Sequence, residues 1–337
     1  MMESRKILLI CNSFSTFIKT DFKILSEFGE VLKFQYNPSK FLKTNIVNQI
    51  KLLHFLISTL SGCHLIYIWF ADYHSFLPVL FGRIFRKKTI LVLGGYDVAS
   101  LPEIKYGSFN TRVRALLTKY SISSADINLC VSENIQQDAL ARVPRAKTQV
   151  LHTGYSDILF TPGNRQRRNR VMTVAICETP QTIQLKGLDY FVKLAQELPQ
   201  YEFVFIGGVH ILEEYFKIPS NLKLIGELPN HELIPYYQEA KVYAQFSMRE
   251  GLPNCVCESM LCGCIPVGFD NGGIPIAIGD AGYIVDNPDM ALIKNIIIEA
   301  MEAPEYLRNK ARERIINQFG LDKRVQVIKN YIIKKNL

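Results

Sequence analysis

The chain has 337 residues, more than one average domain, and its 48% hydrophobic content can fill two ordinary cores, which excludes a disordered or fibrous chain. The net charge of +8 is unevenly spread: residues 1–160 carry 19 Lys and Arg against 11 Asp and Glu, residues 161–170 add four arginines, and residues 171–316 hold 11 against 19. Peripheral contact of a basic first half with an anionic membrane, or with an anionic acceptor, is one reading; an ordinary solvated surface is the other.

At the N-terminus, Arg5 and Lys6 precede only a short apolar run with no small-residue cleavage pattern after it, so a cytoplasmic location is expected, with the inner face of the membrane as the place for any peripheral contact. Short β-branched runs then alternate with helical patterns, and strands are expected at 6–11, 31–36, 65–69, 89–93, 127–131 and 149–152. A helix over 41–60 is amphipathic, with Leu42, Ile46, Ile50, Leu53 and Ile57 on one stripe and Lys43, Asn45, Asn48 and Lys51 opposite. The apolar stretch 52–70 reaches membrane-spanning length but contains His54, Ser58, Ser61, Gly62 and His64. It is better divided into the end of that helix and a buried strand.

Residues 163–170 are charged, lack an apolar period and follow Pro162, which marks a linker. A second alternating series follows, with strands expected at 171–176, 202–206, 222–225, 242–246, 265–268 and 283–285. Continuous apolar strands separated by helices imply parallel sheets covered on both faces. The expected architecture is α/β: two Rossmann-like, doubly wound domains facing across a cleft, 1–162 and 171–320. A basic terminal helix within 321–337 would pack back on the first. Ligands of such folds bind at the carboxyl ends of the strands.

The densest chemical signal is Arg249-Glu-Gly-Leu-Pro-Asn-Cys-Val-Cys-Glu258. Glu250 falls in the loop after a strand, and Glu258 about one turn into a helix starting near Asn254. The amides opening that helix, at the positive end of its dipole, suit a phosphate. The two carboxylates would repel a diphosphate, so they should accept hydrogen bonds from sugar hydroxyls. Read alone, they are a loop carboxylate and a solvated helix carboxylate. The cysteines Cys255, Cys257, Cys262 and Cys264 lack the paired C-x-x-C spacing of zinc sites and read as small buried side chains; neither a metal nor a disulfide is expected.

This segment resembles the E-x7-E signature of retaining family-4 glycosyltransferases of the GT-B fold (glycosyl transferases group 1). The likeness extends over most of 150–290. Leu185-Lys-Gly-Leu-Asp189 resembles the K-G-x-D start of the donor domain's first helix, Ile225-Gly-Glu-Leu-Pro229 its base-contacting loop, and Asn271-Gly-Gly-Ile-Pro275 the N-G-G-x-P-E turn. The resemblance implies an enzyme moving a hexosyl group, with retention and without a metal, from a nucleotide-sugar co-substrate (a UDP- or GDP-sugar) to a glycan or lipid-linked acceptor. Lipopolysaccharide, capsule or exopolysaccharide synthesis is the implied setting; nucleic acid is not an expected partner. In that scheme Glu250 contacts the transferred sugar and Glu258 the ribose. Gly251, Leu252 and Asn254 lie along the phosphates, Leu228 at the base, and Lys186, alone or with Arg249, neutralises the leaving diphosphate.

Several positions depart from the family pattern. No arginine occurs over 175–185, Ile276 replaces the glutamate after the glycine turn, and Gly94-Gly-Tyr-Asp97 puts Gly94 where an H-G-x-D histidine would lie. His74 is a candidate substitute, with an ordinary core or surface histidine as the alternative. Asp97 and Asp72 are candidates either for acceptor hydroxyls or for helix capping. A rival of another class is a catalytically degenerate GT-B protein that binds a sugar nucleotide or a partner enzyme. A nicotinamide dehydrogenase is disfavoured because no G-x-G-x-x-G follows an expected strand.

Overall fold

The computed structural model describes residues 5–39 and 41–333. Contacts divide the chain into two units, one running to Thr153 and resuming at Asp322, the other Gly154–Leu321.

The first unit is a six-stranded, all-parallel sheet in the order β2-β1-β3-β4-β5-β6. Its strands are β1 (Arg5–Cys11), β2 (Gly29–Gln35), β3 (Cys63–Trp69), β4 (Lys88–Leu93), β5 (Ile127–Cys130) and β6 (Thr148–Val150). The connecting helices are α1 (Thr16–Ser26), α2 (Leu42–Thr59), α3 (Tyr73–Ile84), α4 (Arg112–Ser124) and α5 (Glu133–Arg142). β1, β3 and β4 are apolar almost end to end and buried on both faces, as parallel central strands must be. β2 pairs only with β1 and is half exposed.

The second unit repeats the architecture in the order β12-β11-β10-β7-β8-β9, again all parallel. Its strands are β7 (Arg168–Ala175), β8 (Glu202–Gly207), β9 (Leu222–Ile225), β10 (Ala240–Gln245), β11 (Ile265–Phe269) and β12 (Tyr283–Val285). Between and after them come α6 (Pro180–Lys186), α7 (Leu188–Glu197), α8 (Val209–Tyr215), α9 (Ile234–Glu239), α10 (Asn254–Leu261), α11 (Ile274–Ile278), α12 (Met290–Met301) and α13 (Glu305–Phe319). The central strand β7 lies between β8 and β10, so the direction of winding reverses between β7 and β10.

Three expectations change. The division after Thr153 precedes 162, and the stretch read as a linker over 163–170 runs into β7. Its arginines are anchored: Arg165, Arg168 and Arg170 pair with Glu239, Arg170 also with Glu202, and Arg167 donates to the carbonyl oxygens of Ala240 and Cys262. A charged run without apolar period can therefore open a strand when its neighbours supply carboxylates and carbonyls.

The apolar stripe of α2 is also corrected. The buried positions are Leu52 and Leu56, whereas Ile46, Ile50 and Ile57 are exposed at 51%, 61% and 65%. The side chain of Leu42 lies outside the described residues. The helix has two adjacent apolar stripes, and periodicity alone does not say which one meets the sheet.

The terminal helix α14 (Leu321–Ile333) carries Arg324, which belongs to the first unit; residues 334–337 lie outside the described part. Arg324 is 2% exposed and forms a two-pronged pair with the fully buried Asp21, both contacts at 2.6 Å, and donates to the carbonyl oxygens of Leu151 and His152. Asp21 also accepts from the Tyr67 hydroxyl and the Trp69 indole, each at 2.8 Å. The ion pair is thus surrounded by the partners a buried charge requires.

Candidate functional site

Two loops at the carboxyl edge of the second sheet, one after β7 and one after β10, meet at the reversal of strand order. The first carries α6, opened by Pro180 and a reciprocal Thr179/Thr182 cap and ending at Lys186. Gly187 then adopts φ +62°, and a Cβ there would lie 2.0 Å from the Phe246 carbonyl oxygen. Only glycine permits that turn so close to the end of β10. The Met248 amide donates to Leu185 O at 2.9 Å, joining the two loops. Lys186 is thereby placed with Nζ 2.7 Å from Glu250 Oε1.

The Glu250 loop is fixed from a second side. The Gly273 amide donates to Glu250 O at 3.0 Å, and a Cβ on Gly273 would stand 1.9 Å from Gly251 O, so the glycine turn of 271–275 is what allows this approach. Gln245 donates to Glu250 Oε1 at 3.4 Å and to Ser247 Oγ at 2.6 Å. Burial works against the Lys186 charge, but the Glu250 carboxylate and their hydrogen bond outweigh it and hold the ammonium above its ordinary range. Both side chains keep some access, 25% for Lys186 and 16% for Glu250.

Gly251, Leu252 and Pro253 form a buried turn into α10. Asn254, its first residue, accepts from the Tyr155 hydroxyl at 2.7 Å, and Arg249 sits half-buried beside Glu250. Glu258, one turn along, is 3% exposed; Oε1 accepts from Asn230 at 2.9 Å and Oε2 from the Tyr237 hydroxyl at 3.3 Å. Burial pushes its carboxyl up to about 7, against the pull of those two donors. Burial above all raises the Cys255 thiol at the start of α10; Glu258 and Glu250 add to this and Lys186 opposes it. Leu228 is half-buried two residues before Asn230. Sequence reasoning missed Asn230, Tyr237 and Tyr155. They lie within 150–290, over most of which the likeness extends, but nothing in the sequence pairs them with Glu258 or Asn254.

The cysteine cluster is a packing feature. Burial raises all four thiols, Cys264 to about 11 and Cys255 to about 12. Among the described residues no group of three or more His, Cys, Asp or Glu could hold a metal ion.

In the first unit the corresponding strand ends, after β3 and β4, are organised differently. Asp97 is fully buried and accepts from the amides of Gly95, Gly94 and Ala71 at 2.7, 3.1 and 3.3 Å. Burial lifts its carboxyl to about 6. It holds the turn together and has no free face for a ligand. His74, offered as a substitute for the missing histidine, is 1% exposed, with Nε2 2.8 Å from Trp69 O and its ring stacked on Tyr36. Burial keeps the imidazole below its ordinary value. It is a packing residue rather than one that reaches into solvent. Asp72 caps α3 through the Tyr73 amide and pairs with Arg114 at 2.9 Å. At Gly94 a Cβ would lie 2.3 Å from the ring of Phe70, itself held at φ +68°, so this aromatic ring fills the space where a histidine side chain would project.

Residues 178–318 match the model of the family Glycosyl transferases group 1. Over that stretch the resemblance to glycosyl transferases group 1 is borne out. The chain is 20% identical over 234 residues to one of the subunits of the phosphatidylinositol N-acetylglucosaminyltransferase of Arabidopsis thaliana, covering 64% of this chain and 52% of that protein. It is 24% identical over 233 residues to the D-inositol 3-phosphate glycosyltransferase of Mycolicibacterium smegmatis, covering 62% and 52%. The chain thus spans about half the length of these curated relatives. Among solved structures, the Anabaena protein HepE, in complex with UDP and glucose, superposes with a TM-score of 0.77 over 97% of this chain and 99% of that one at 16% identity. The fold is that of the GT-B glycosyltransferases, two Rossmann-like domains.

Proposed function

We propose, from the premise that residues 178–318 are a group 1 glycosyl transferase region, that the chain transfers a hexosyl group from a nucleotide-sugar to a glycan or lipid-linked acceptor, with retention and without a metal. The observation that carries this reading is the Lys186–Glu250 pair, 2.7 Å apart, beside the start of α10 at the reversal of strand order. It offers a cation and helix amides to a diphosphate and a carboxylate to sugar hydroxyls. The chemistry of a glycosyl diphosphate needs both within one short span.

In the proposed reaction the C1–O bond to the diphosphate breaks through an oxocarbenium-like state while an acceptor hydroxyl oxygen bonds to C1 from the same face. The hydroxyl proton passes to an oxygen of the leaving diphosphate. Lys186, with the amides at the start of α10, meets the negative charge that builds on that diphosphate, and Arg249, which precedes Glu250 in the loop, would assist. A metal ion would otherwise supply this charge. Glu250 accepts hydrogen bonds from the sugar, Glu258 from the ribose, and Leu228 lies along the base. UDP is the nucleotide to try first, because HepE was solved with it; GDP is the alternative. Synthesis of lipopolysaccharide, capsule or exopolysaccharide at the cytoplasmic side of a membrane is the setting we propose.

A non-catalytic sugar-nucleotide binder is the second reading, favoured by Phe70 occupying the space beside Gly94. Differential scanning fluorimetry against UDP-, GDP-, ADP- and TDP-sugars, with and without chelator, tests binding. At about a hundred times Kd the folded state gains about 2.7 kcal/mol. The expected result is a chelator-insensitive shift with one nucleotide, lost in Glu258→Ala. No shift with any of them contradicts the reading. Binding without release of nucleoside diphosphate in the presence of acceptor mixtures favours the binder.

A further inference from the structure

We propose that Gln245 is a positioning residue for Glu250: when a diphosphate draws Lys186 away, the Gln245 amide keeps hold of Oε1 and leaves Oε2 for a hydroxyl of the sugar. This deepens the reading given above and rests on it for the roles of Lys186 and Glu250. All the residues involved lie in the second unit.

Gln245 is a buried amide in an apolar place. It ends β10, a central strand of its sheet, and is 4% exposed, between the buried apolar residues Ala244 and Phe246. A side-chain amide taken out of water costs free energy unless its polar groups find partners. Those of Gln245 do. The Tyr243 hydroxyl donates to its Oε1 at 3.2 Å, and its Nε2 donates to Ser247 Oγ at 2.6 Å and to Glu250 Oε1 at 3.4 Å.

The orientation of the amide follows from a count of protons. The Tyr243 hydroxyl accepts from the Val174 amide of the neighbouring strand β7 at 3.3 Å, so its single proton is left for Gln245. Only the carbonyl oxygen of the side-chain amide can take that proton, which turns the NH2 group, with both its hydrogens, to Ser247 and Glu250. Tyr243 and Ser247 are fully buried, and the Ser247 carbonyl oxygen accepts from Asn271 Nδ2 at 3.3 Å. The amide is therefore held from both ends.

Two donors thus converge on one oxygen of Glu250, Lys186 Nζ at 2.7 Å and Gln245 Nε2 at 3.4 Å. Lys186 is the closer, and it is the one for which a diphosphate competes. Once it moves, the Glu250 carboxylate, 16% exposed, loses the partner that fixes its rotamer. Gln245 carries no charge to be drawn off, and its other bonds keep it in place, so its contact with Oε1 can shorten as the ammonium leaves. A hydrogen bond to an ionised acceptor is stronger than one between neutral groups.

Two measurements on the full chain test the proposal. The first needs no ligand: melting temperatures of wild type, Gln245→Met, Lys186→Met and the double variant, and of the same four chains carrying Glu250→Gln. Methionine fills much the same volume without the amide, and the lost bonds to Tyr243 and Ser247 are common to every pair and cancel in the cycle. Gln245→Met is expected to lower the melting temperature by about 2–4 °C more in Lys186→Met than in wild type, and equally in both once Glu250→Gln is present. The second follows release of UDP from UDP-glucose. Gln245→Met is expected to lower kcat at least about tenfold with KM within about threefold of wild type, and to add less than about twofold to Glu250→Gln. A residue that merely held the strand end together would not give this split. An additive melting cycle overturns the proposal whether or not UDP-glucose is turned over, and so does a wild-type kcat in Gln245→Met beside a disabled Glu250→Gln. Near-wild-type turnover by Glu250→Gln, or none by wild type, counts against the reading of the site instead, and the melting cycle then decides whether Gln245 holds Glu250.

Discussion

The two units build the same six-stranded parallel sheet, yet the loops at their strand ends have opposite chemistry. In the second unit, Lys186 and Glu250 neutralise each other across 2.7 Å and both remain partly accessible, so a ligand carrying a diphosphate and hydroxyls can take over their interactions. In the first, Asp97 is fully buried and spends its carboxylate on three backbone amides, His74 spends Nε2 on a carbonyl, and Phe70 fills the space beside Gly94. Charged residues at strand ends therefore do not mark a site by position alone. What separates the two cases is access: Lys186 and Glu250 pair with each other but remain partly exposed, whereas Asp97 and His74 are buried.

The comparison can be broken most strongly away from either loop. Arg324→Met should cost about 3–5 kcal/mol by stranding the buried Asp21 charge, read as a lower denaturant midpoint of the first unit's transition. Nucleotide binding to the second unit should be unchanged at temperatures where both units remain folded. If Arg324→Met instead abolished nucleotide binding without loss of stability, the two units would not be separable. Next in size, Glu250→Gln and Lys186→Ala should each lower transfer by roughly 10²- to 10³-fold with little change in melting temperature, measured as release of nucleoside diphosphate. Near-wild-type rates in either would move the chemistry elsewhere.

Glu258 gives a pH signature. Its folded value of about 7 lies above the ordinary 4.5, so the neutral carboxyl is the form the fold favours. This contribution to stability is full below about 4.5 and is lost as pH rises through about 7, by about 3 kcal/mol in all. Ribose hydroxyls donate to the ionised form, so donor affinity should rise with pH up to about 7, by at most tenfold per unit. Glu258→Gln should flatten both profiles. A donor affinity independent of pH between 5.5 and 8 in wild type would remove Glu258 from the site. Smaller still, Gly94→Ala should cost about 1–3 kcal/mol through its clash with Phe70, and Phe70→Ala in the same chain should recover part of that loss. Without recovery, the ring is not what fills the position.

Much of this was legible in the sequence. The alternating apolar runs located all twelve strands found among the described residues, with ends shifted by up to about three residues, because buried parallel strands are continuous and β-branched. The Glu250 and Lys186 loops were legible because Gly187 and Gly273 are required by close backbone approaches, which leave a mark at fixed spacing. Other features were not. The α2 helix has two apolar stripes, and only the sheet beneath decides that Leu52 and Leu56 go in while Ile46, Ile50 and Ile57 stay out. Arg168–Arg170 read as part of a linker because the carboxylates that anchor them, Glu202 and Glu239, are distant in sequence. Asn230 and Tyr237 find Glu258 only through the fold. His74 and Asp97 sat at the right strand ends, and their burial could not be read from position.

The most direct test of the central claim is phosphorus NMR of a UDP-sugar titrated with wild type, Lys186→Ala and His74→Phe. The account predicts a shift and broadening of the diphosphate resonances with wild type, abolished by Lys186→Ala and retained by His74→Phe. A diphosphate signal that wild type leaves unmoved, or that Lys186→Ala perturbs as wild type does, would contradict it.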